Sequence, residues 1–415
     1  MKRTLLILTL TSLFTTTVAQ QISFGEYMQR VMNNNIALTA KRMDIEIADA
    51  TVTDSKVYND PNLALTYTNN EDWSKGLGQG IELELSRTFT FGVRHSRIDL
   101  AESERMQTIA LLEEYIRNFR ADATIAYLEH LRAGMLYVEA KEIYNDLSEV
   151  AANDSVRYMR GDIAKSDWLE SRMAQGIARN AVLEAEAGCN NSAITLGYYM
   201  GSVDGAESYR GTGSLEMNES PAPLSYYTDA ALEHRADLVV ALSNVEMAEA
   251  TQEFNNATRR PDINVTVGAT YNRARPDFTT LKAGIAIPLR FSNLNRGARI
   301  IDEVLVRQAG IEVEEAKLLV RADVMQAYND FRYASMQSET FSESMLNDMN
   351  EVVESKKRAY EMGEISFLEY LIVERNKSEM RSEYIDALFG KAVAWVELQR
   401  ATGFGLEFGT MPVAE

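Results

Sequence analysis

A twelve-residue stretch occurs twice in this chain, and the repeat fixes the plan of everything around it. The first copy runs from Tyr158 to Leu169 and the second from Tyr360 to Leu371, at a constant offset of 202 residues. Tyr158/Tyr360, Gly161/Gly363, Ile163/Ile365 and Leu169/Leu371 are identical, and the acids Asp162/Glu364 and Asp167/Glu369 match in kind. Each copy lies between two long helical patterns with no other breaker close by. Glycine ends a helix because it accepts the left-handed conformation just past the last turn. Ser366 followed three residues later by Glu369 has the spacing of a capping box that opens the next helix. Each copy therefore reads as the tight tip of a long helical hairpin, and the chain has two.

The patterns around the tips repeat as well. Residues 22 to 58 carry apolar side chains at helical spacing (Met28, Val31, Leu38, Ile45), and Asp60-Pro61 stops the run. The period then falls to two. Leu63, Leu65 and Tyr67 alternate with Ala64, Thr66 and Thr68, and Ile81, Leu83 and Leu85 alternate with Glu82, Glu84 and Ser86. That is a β-hairpin with one apolar and one polar face. From Val93 to Gly161 a helix is predicted with a heptad seam through Ile109, Ile116, Phe119, Ala123, His130, Ala133, Tyr144 and Leu147. The same order returns after a Gly/Ser-rich stretch. A helix opened by Arg235-Ala236-Asp237-Leu238 is followed by alternation from Ile263 to Tyr271, a partner strand from Leu281 to Pro288, a helix from Leu294 to Met362 and a return helix from Ser366 to Ala401. The boundaries are a first repeat over 20–200, a linker over 201–223, a second repeat over 224–402 and a tail over 403–415.

The first residues carry a basic start (Lys2, Arg3), an apolar run from Leu5 to Phe14 and a small-x-small site at Thr17-Val18-Ala19. That is the grammar of a secretory signal peptide over 1–19. Its removal takes the net charge from −19 to −21, which argues against nucleic acid as a partner and suits a cation path or a well-solvated surface. Cys189 is the single cysteine, so export brings no disulfide framework.

Four strands of about ten residues match the length of tilted membrane-spanning strands. Ile263, Val265, Val267, Ala269 and Tyr271 would face lipid together with Ile81, Leu83 and Leu85. Glu82 and Glu84 would face a lumen. Four strands do not close a barrel, and open edges do not survive in lipid. Several chains must share one barrel. A dimer supplies eight strands and a trimer twelve, and the arithmetic leaves both open.

The duplicated plan, Arg235-Ala236-Asp237-Leu238, Ile287-Pro288-Leu289 after the last strand, and the tips Arg160 to Ala164 and Met362 to Ser366 together resemble the TolC family of outer-membrane efflux channels. The resemblance covers essentially the whole mature length and points to the branch that exports heavy-metal cations. It implies a mainly α protein with a transmembrane β part. Three chains would share a 12-stranded β-barrel in the outer membrane, and coiled-coil hairpins would form an α-barrel across the periplasm. The partners implied are two further copies, outer-membrane lipid, a periplasmic adaptor and an inner-membrane pump of the resistance-nodulation-division type. The adaptor would meet the tips, at Gly161, Asp162, Ile163, Ala164, Gly363, Glu364, Ile365 and Ser366. Acidic residues after the tips ring the periplasmic mouth in the family, which puts Glu369 and Asp167 at a cation-selective constriction. Some members carry an arginine two residues past the tip glycine that latches the mouth. Ile163 and Ile365 stand there, so a latch of that form is not expected.

Other readings of single residues stand beside these. Glu369 also serves as the capping partner of Ser366, and Asp167 as a first-turn carboxylate favoured by the helix dipole. His95, His130 and His234 have no second ligand at metal spacing, so neither metal site nor cofactor is expected. Methionines on the seams, such as Met135 and Met345, read as core filler. No nucleophile–base constellation or phosphate loop suggests an enzyme. A duct for secreted proteins, or a periplasmic coiled-coil adaptor, remains as the alternative function.

Overall fold

The computed structural model describes residues 20–69, 79–217, 221–273, 279–289, 295–341 and 343–403. The leader expected over 1–19 and residues 404–415 of the expected tail lie outside that range. Strand β1 (Gln20–Ser23) leads into α1 (Phe24–Asn34) and α2 (Ile36–Ser55), followed by β2 (Asn62–Asn69) and β3 (Gln79–Phe89). Next come α3 (Val93–Arg160), α4 (Lys165–Tyr199) and β4 (Tyr209–Thr212). The second half has α5 (Leu224–His234), α6 (Ala236–Thr258), β5 (Ile263–Asn272), β6 (Thr280–Ala286), α7 (Arg296–Thr340), α8 (Glu343–Glu361) and α9 (Phe367–Thr402).

The two hairpins pair into one antiparallel sheet in the order β2-β3-β5-β6. Register settles which side chains share a face. Leu63 lies opposite Leu85, Leu65 opposite Leu83 and Tyr67 opposite Ile81. Leu85 meets Val267, Leu83 meets Ala269 and Ile81 meets Tyr271. Val265 meets Ile285 and Ala269 meets Leu281. One face is therefore a continuous apolar band, most open at its edges, with Leu281 81% and Leu65 71% exposed, while Val265 and Ala269 on β5 are half-buried. A leucine or isoleucine left wholly in water forfeits about 1.5–3 kcal/mol relative to an apolar medium. The opposite face carries Thr66, Glu82, Glu84, Thr270 and Lys282, with Lys282 Nζ 2.7 Å from Glu82 Oε1. Among the described residues, β2 and β6 each lack a neighbour on their outer side.

Helix α3 has 68 residues and spans roughly 100 Å at 1.5 Å per residue. Its seam residues Phe119, Ala123, His130, Ala133 and Leu147 are buried. The half-length helices share it: α2 and α6 lie along the part near the sheet, α4 and α9 along the part running to the tip. Among the described residues no helix is long and apolar enough to cross a membrane.

Three features depart from the sequence reading. The helix expected over 22–58 is two helices, broken at Asn35. The Asn35 side chain caps the second helix, accepting from the Leu38 N–H at 3.0 Å, and its Nδ2 donates to the Tyr199 carbonyl at 2.9 Å. The helix expected from Leu294 to Met362 is interrupted at Phe341, where the backbone is extended. The stretch expected as linker contains β4, which runs parallel to β1. The Tyr127 hydroxyl ties that pair to α3: it receives the Thr212 N–H at 3.0 Å and lies 2.9 Å from the Ile22 carbonyl oxygen.

Candidate functional site: the two tips and the sheet

Both tips close the same way. Gly161 (φ +84°) and Gly363 (φ +80°) sit in the left-handed region. The Asp162 N–H bonds the Arg157 carbonyl at 2.9 Å, and the Glu364 N–H bonds the Ala359 carbonyl at 2.9 Å. These are the six-to-one bonds of a Schellman ending, which a residue with a Cβ makes only under strain. No other atom lies near a Cβ built on Gly161, and the closest to Gly363 is Arg157 Nη2 at 4.0 Å. Chain conformation, not crowding, requires glycine at both positions.

The tip surface is open. Gly161, Asp162, Ala164, Gly363, Glu364 and Ser366 are exposed, whereas Ile163 and Ile365 are half-buried. Ser366 Oγ accepts from the Glu369 N–H at 3.3 Å, and the Glu369 side chain is exposed. Asp167 is half-buried, with Ser166 Oγ 3.2 Å from its Oδ1. Trp168 stacks on Tyr158 at 4.9 Å, so its role past the first tip is packing.

A clasp between the hairpins escaped the sequence reading. One turn before the second tip, the Tyr360 hydroxyl donates to Asp154 Oδ2 at 2.8 Å, and Asp154 is 1% exposed. Arg157 lies with its Nη1 3.6 Å from the other Asp154 oxygen and its guanidinium over the Tyr360 ring at 5.3 Å. Tyr370 stacks behind Tyr360 at 6.0 Å, and Lys357 Nζ pairs with Glu149 at 2.6 Å. Burial raises the Tyr360 phenol well above its ordinary value, and its bond to Asp154 adds to that, so the hydroxyl stays a donor. The clue in sequence is Tyr158/Tyr360, matched between the copies, but nothing local joins position 154 to 360. Glu82 and Glu84 lie on the polar face of the sheet as described, remote in sequence from either tip. Among the described residues no group of three or more His, Cys, Asp or Glu is placed to hold a metal ion.

Comparison with known proteins agrees with this layout. Residues 228–404, essentially the whole second repeat, match the model of the family described as outer membrane efflux protein. The cobalt-zinc-cadmium resistance protein CzcC of Cupriavidus metallidurans is 20% identical over 382 residues, which cover 89% of this chain and 87% of that protein. The CmeC outer membrane channel of Campylobacter jejuni superposes with a TM-score of 0.78 at 14% identity, covering 91% of this chain and 85% of that one. The CusC channel superposes with a TM-score of 0.72 at 17% identity, covering 91% of each. The chain thus has the fold of these outer membrane channels, with one helix–hairpin–helix plan in both halves and a four-stranded sheet between them, and its second repeat carries the match to the outer membrane efflux protein family.

Proposed function

We propose that three copies of the chain form the outer-membrane exit duct of a tripartite efflux system whose cargo is heavy-metal cations. The observation that carries the duct is the sheet. Its apolar face is largely exposed on β2 and β6 and half-exposed on β3 and β5, its polar face carries Glu82, Glu84 and Lys282, and among the described residues both edges are unpaired. Lipid satisfies the first, a water-filled lumen the second, and neighbouring copies the third. Three copies supply twelve strands, the number the family uses.

The helices carry the path inward to the tips. The tip residues from Gly161 to Ala164 and from Gly363 to Ser366, all exposed except the half-buried Ile163 and Ile365, are the surface offered to a periplasmic adaptor that links to an inner-membrane pump. Glu369, with Asp167 in support, supplies carboxylates at the periplasmic mouth. Threefold symmetry repeats each of them three times around the axis, and a ring of carboxylates in a constriction favours cations. The Tyr360–Asp154 bond holds the two hairpins of one chain together just inside that mouth. Widening the mouth by swinging one hairpin from the other breaks it. The duct is passive: its contribution is a lined path and a clasp, with no chemical step.

The cargo rests on the kinship with the cobalt-zinc-cadmium resistance protein and on the acidity of the chain. A deletion strain challenged in parallel with cobalt, zinc, cadmium and a panel of drugs tests it. Sensitivity to the metals, restored by the wild-type gene, is expected. Sensitivity confined to drugs overturns the metal assignment and leaves the duct.

A further inference from the structure

Starting just above the second tip, where Leu371 stands, α3, α4 and α9 border a groove of about 580 Å³ that is open to solvent on one side. Its walls are mainly apolar, formed by Leu136 and Ile143 of α3, Ala174 and Ile177 of α4 and Leu371 of α9, with Ser378 and Ser382 of α9 among them. Two carboxylates intrude on this lining, Glu139 and Glu374. Glu374 is 2% exposed, and neither of its oxygens has a hydrogen-bond partner. The nearest cation, Lys377 Nζ, is 4.0 Å from Oε1, beyond hydrogen-bond reach. Glu139 is 5% exposed; Arg381 Nη1 stands 3.6 Å from its Oε2, and its Oε1 has no partner. Arg375 also reaches the rim but is 75% exposed and turned to Glu379 at 3.5 Å.

A buried carboxylate with no donor is costly, and folded proteins carry few. Burial accordingly pushes both carboxyls up from their ordinary value, opposed by Lys377 and Arg381 and reinforced by Asp146 and Glu142. Something that brings positive charge to this groove relieves the deficit. A bare metal ion is poorly served, because no group of three acidic, histidine or cysteine ligands assembles among the described residues. An organic cation with an apolar body meets both demands. The volume lies within the roughly 300–1,000 Å³ range of small-molecule sites, and apolar walls with a few placed polar groups are their usual make-up.

We propose that this groove is a binding site for lipophilic organic cations, with Glu374 as the counter-charge, Glu139 in support and the apolar walls of α3, α4 and α9 holding the body of the ligand. It is a site in the wall of a single chain, separate from the tip carboxylates, and it does not depend on what the duct conducts. Binding there would wedge α4 and α9 against α3 and stiffen the lower helical part.

The test uses the full chain in nanodiscs, with empty nanodiscs as reference, titrated calorimetrically with tetraphenylphosphonium. Triphenylphosphine oxide serves as the neutral body of similar shape, and zinc chloride as the metal. Saturable binding of tetraphenylphosphonium, without saturable binding of triphenylphosphine oxide, is expected. Glu374→Gln should weaken it about tenfold or more, since it removes one partner of a buried charge pair. Glu139→Gln should weaken it in the same direction, which guards against a folding defect in one variant. Glu369→Gln, at the tip, should leave it unchanged. Equal affinity in Glu374→Gln, or loss in Glu369→Gln alone, overturns the site. Displacement of tetraphenylphosphonium by zinc, with zinc binding lost in Glu374→Gln, overturns the ligand class.

Discussion

Replacing Tyr360 with phenylalanine removes one oxygen and tests whether the clasp between the hairpins is what keeps them together. The ring keeps its neighbours: Tyr370 stacked at 6.0 Å, Phe367 at 5.7 Å and the Arg157 guanidinium at 5.3 Å. What goes is the 2.8 Å bond to a carboxylate that is 1% exposed. Asp154 Oδ1 already lacks a hydrogen bond, so after the change only Arg157, at 3.6 Å, faces the group. A hydrogen bond to a charged acceptor contributes about 1.5–3 kcal/mol. By contrast the nearby Lys357–Glu149 pair, whose carboxylate is 61% exposed, adds at most about 1 kcal/mol. The hydroxyl is therefore the larger of the two links. A loss of about 2 kcal/mol raises the ratio of parted to clasped hairpins about thirtyfold. Hydrogen exchange followed by mass spectrometry reads this locally, because opening of the tip exposes the amides of the last turns of α3 and α8. Exchange there should accelerate by about that factor, with the sheet and the Tyr127 core unaltered. Conductance in planar bilayers should rise in parallel. Unchanged exchange at both tips together with unchanged conductance would falsify the clasp.

Three further substitutions address other parts of the molecule. Gly363→Val forces a branched side chain into φ +80°, costing about 1–2 kcal/mol at the tip; resistance should fall while outer-membrane insertion, followed by fractionation, stays normal. Glu369→Gln keeps the Ser366 cap, which uses the Glu369 backbone N–H, and removes the charge; cation preference and block by divalent ions should both decline, and unchanged selectivity means the ring lies elsewhere. Glu374 has a folded pKa raised by burial, so its contribution to stability is fully present below its unfolded pKa of about 4.5 and is lost as pH rises through the folded value. Glu374→Gln should therefore raise the unfolding temperature at pH 7.5 and not at pH 4, and a variant less stable at pH 7.5 refutes that reading.

Local signals carried the fold a long way. Gly161 and Gly363 announce helix ends because only a residue without a Cβ takes their φ at no cost, and the alternation at 63–67, 81–85 and 263–271 announces strands through the pleat. The breaks at Asn35 and Phe341 were not legible, because each is set by what the chain meets in space. Asn35 finds the Tyr199 carbonyl 164 residues away. β1 and β4 are each four residues long, too short for a period to show, and are held by the Tyr127 hydroxyl from a third element. At the tips the glycines and the exposed acids could be named from spacing, but Tyr360 and Asp154 are 206 positions apart. Glu374 is an ordinary charged residue on a helix until the folded chain buries it between α3 and α4. Pairings of that kind belong to the tertiary structure, and periodicity does not encode them.

The most direct measurement bears on the shared barrel. With Cys189 replaced by alanine, one new cysteine is fixed at Gly284 on β6 and a second is walked along β2 from Asn62 to Asn69. β2 and β6 are opposite edges of the sheet in one chain, separated by β3 and β5, so a disulfide between them has to join two chains. Oxidation in the membrane should give a ladder on denaturing gels that stops at three chains, strongest at one or two positions along β2. A ladder that stops at two, or one that continues beyond three, contradicts the closed ring of three sheets.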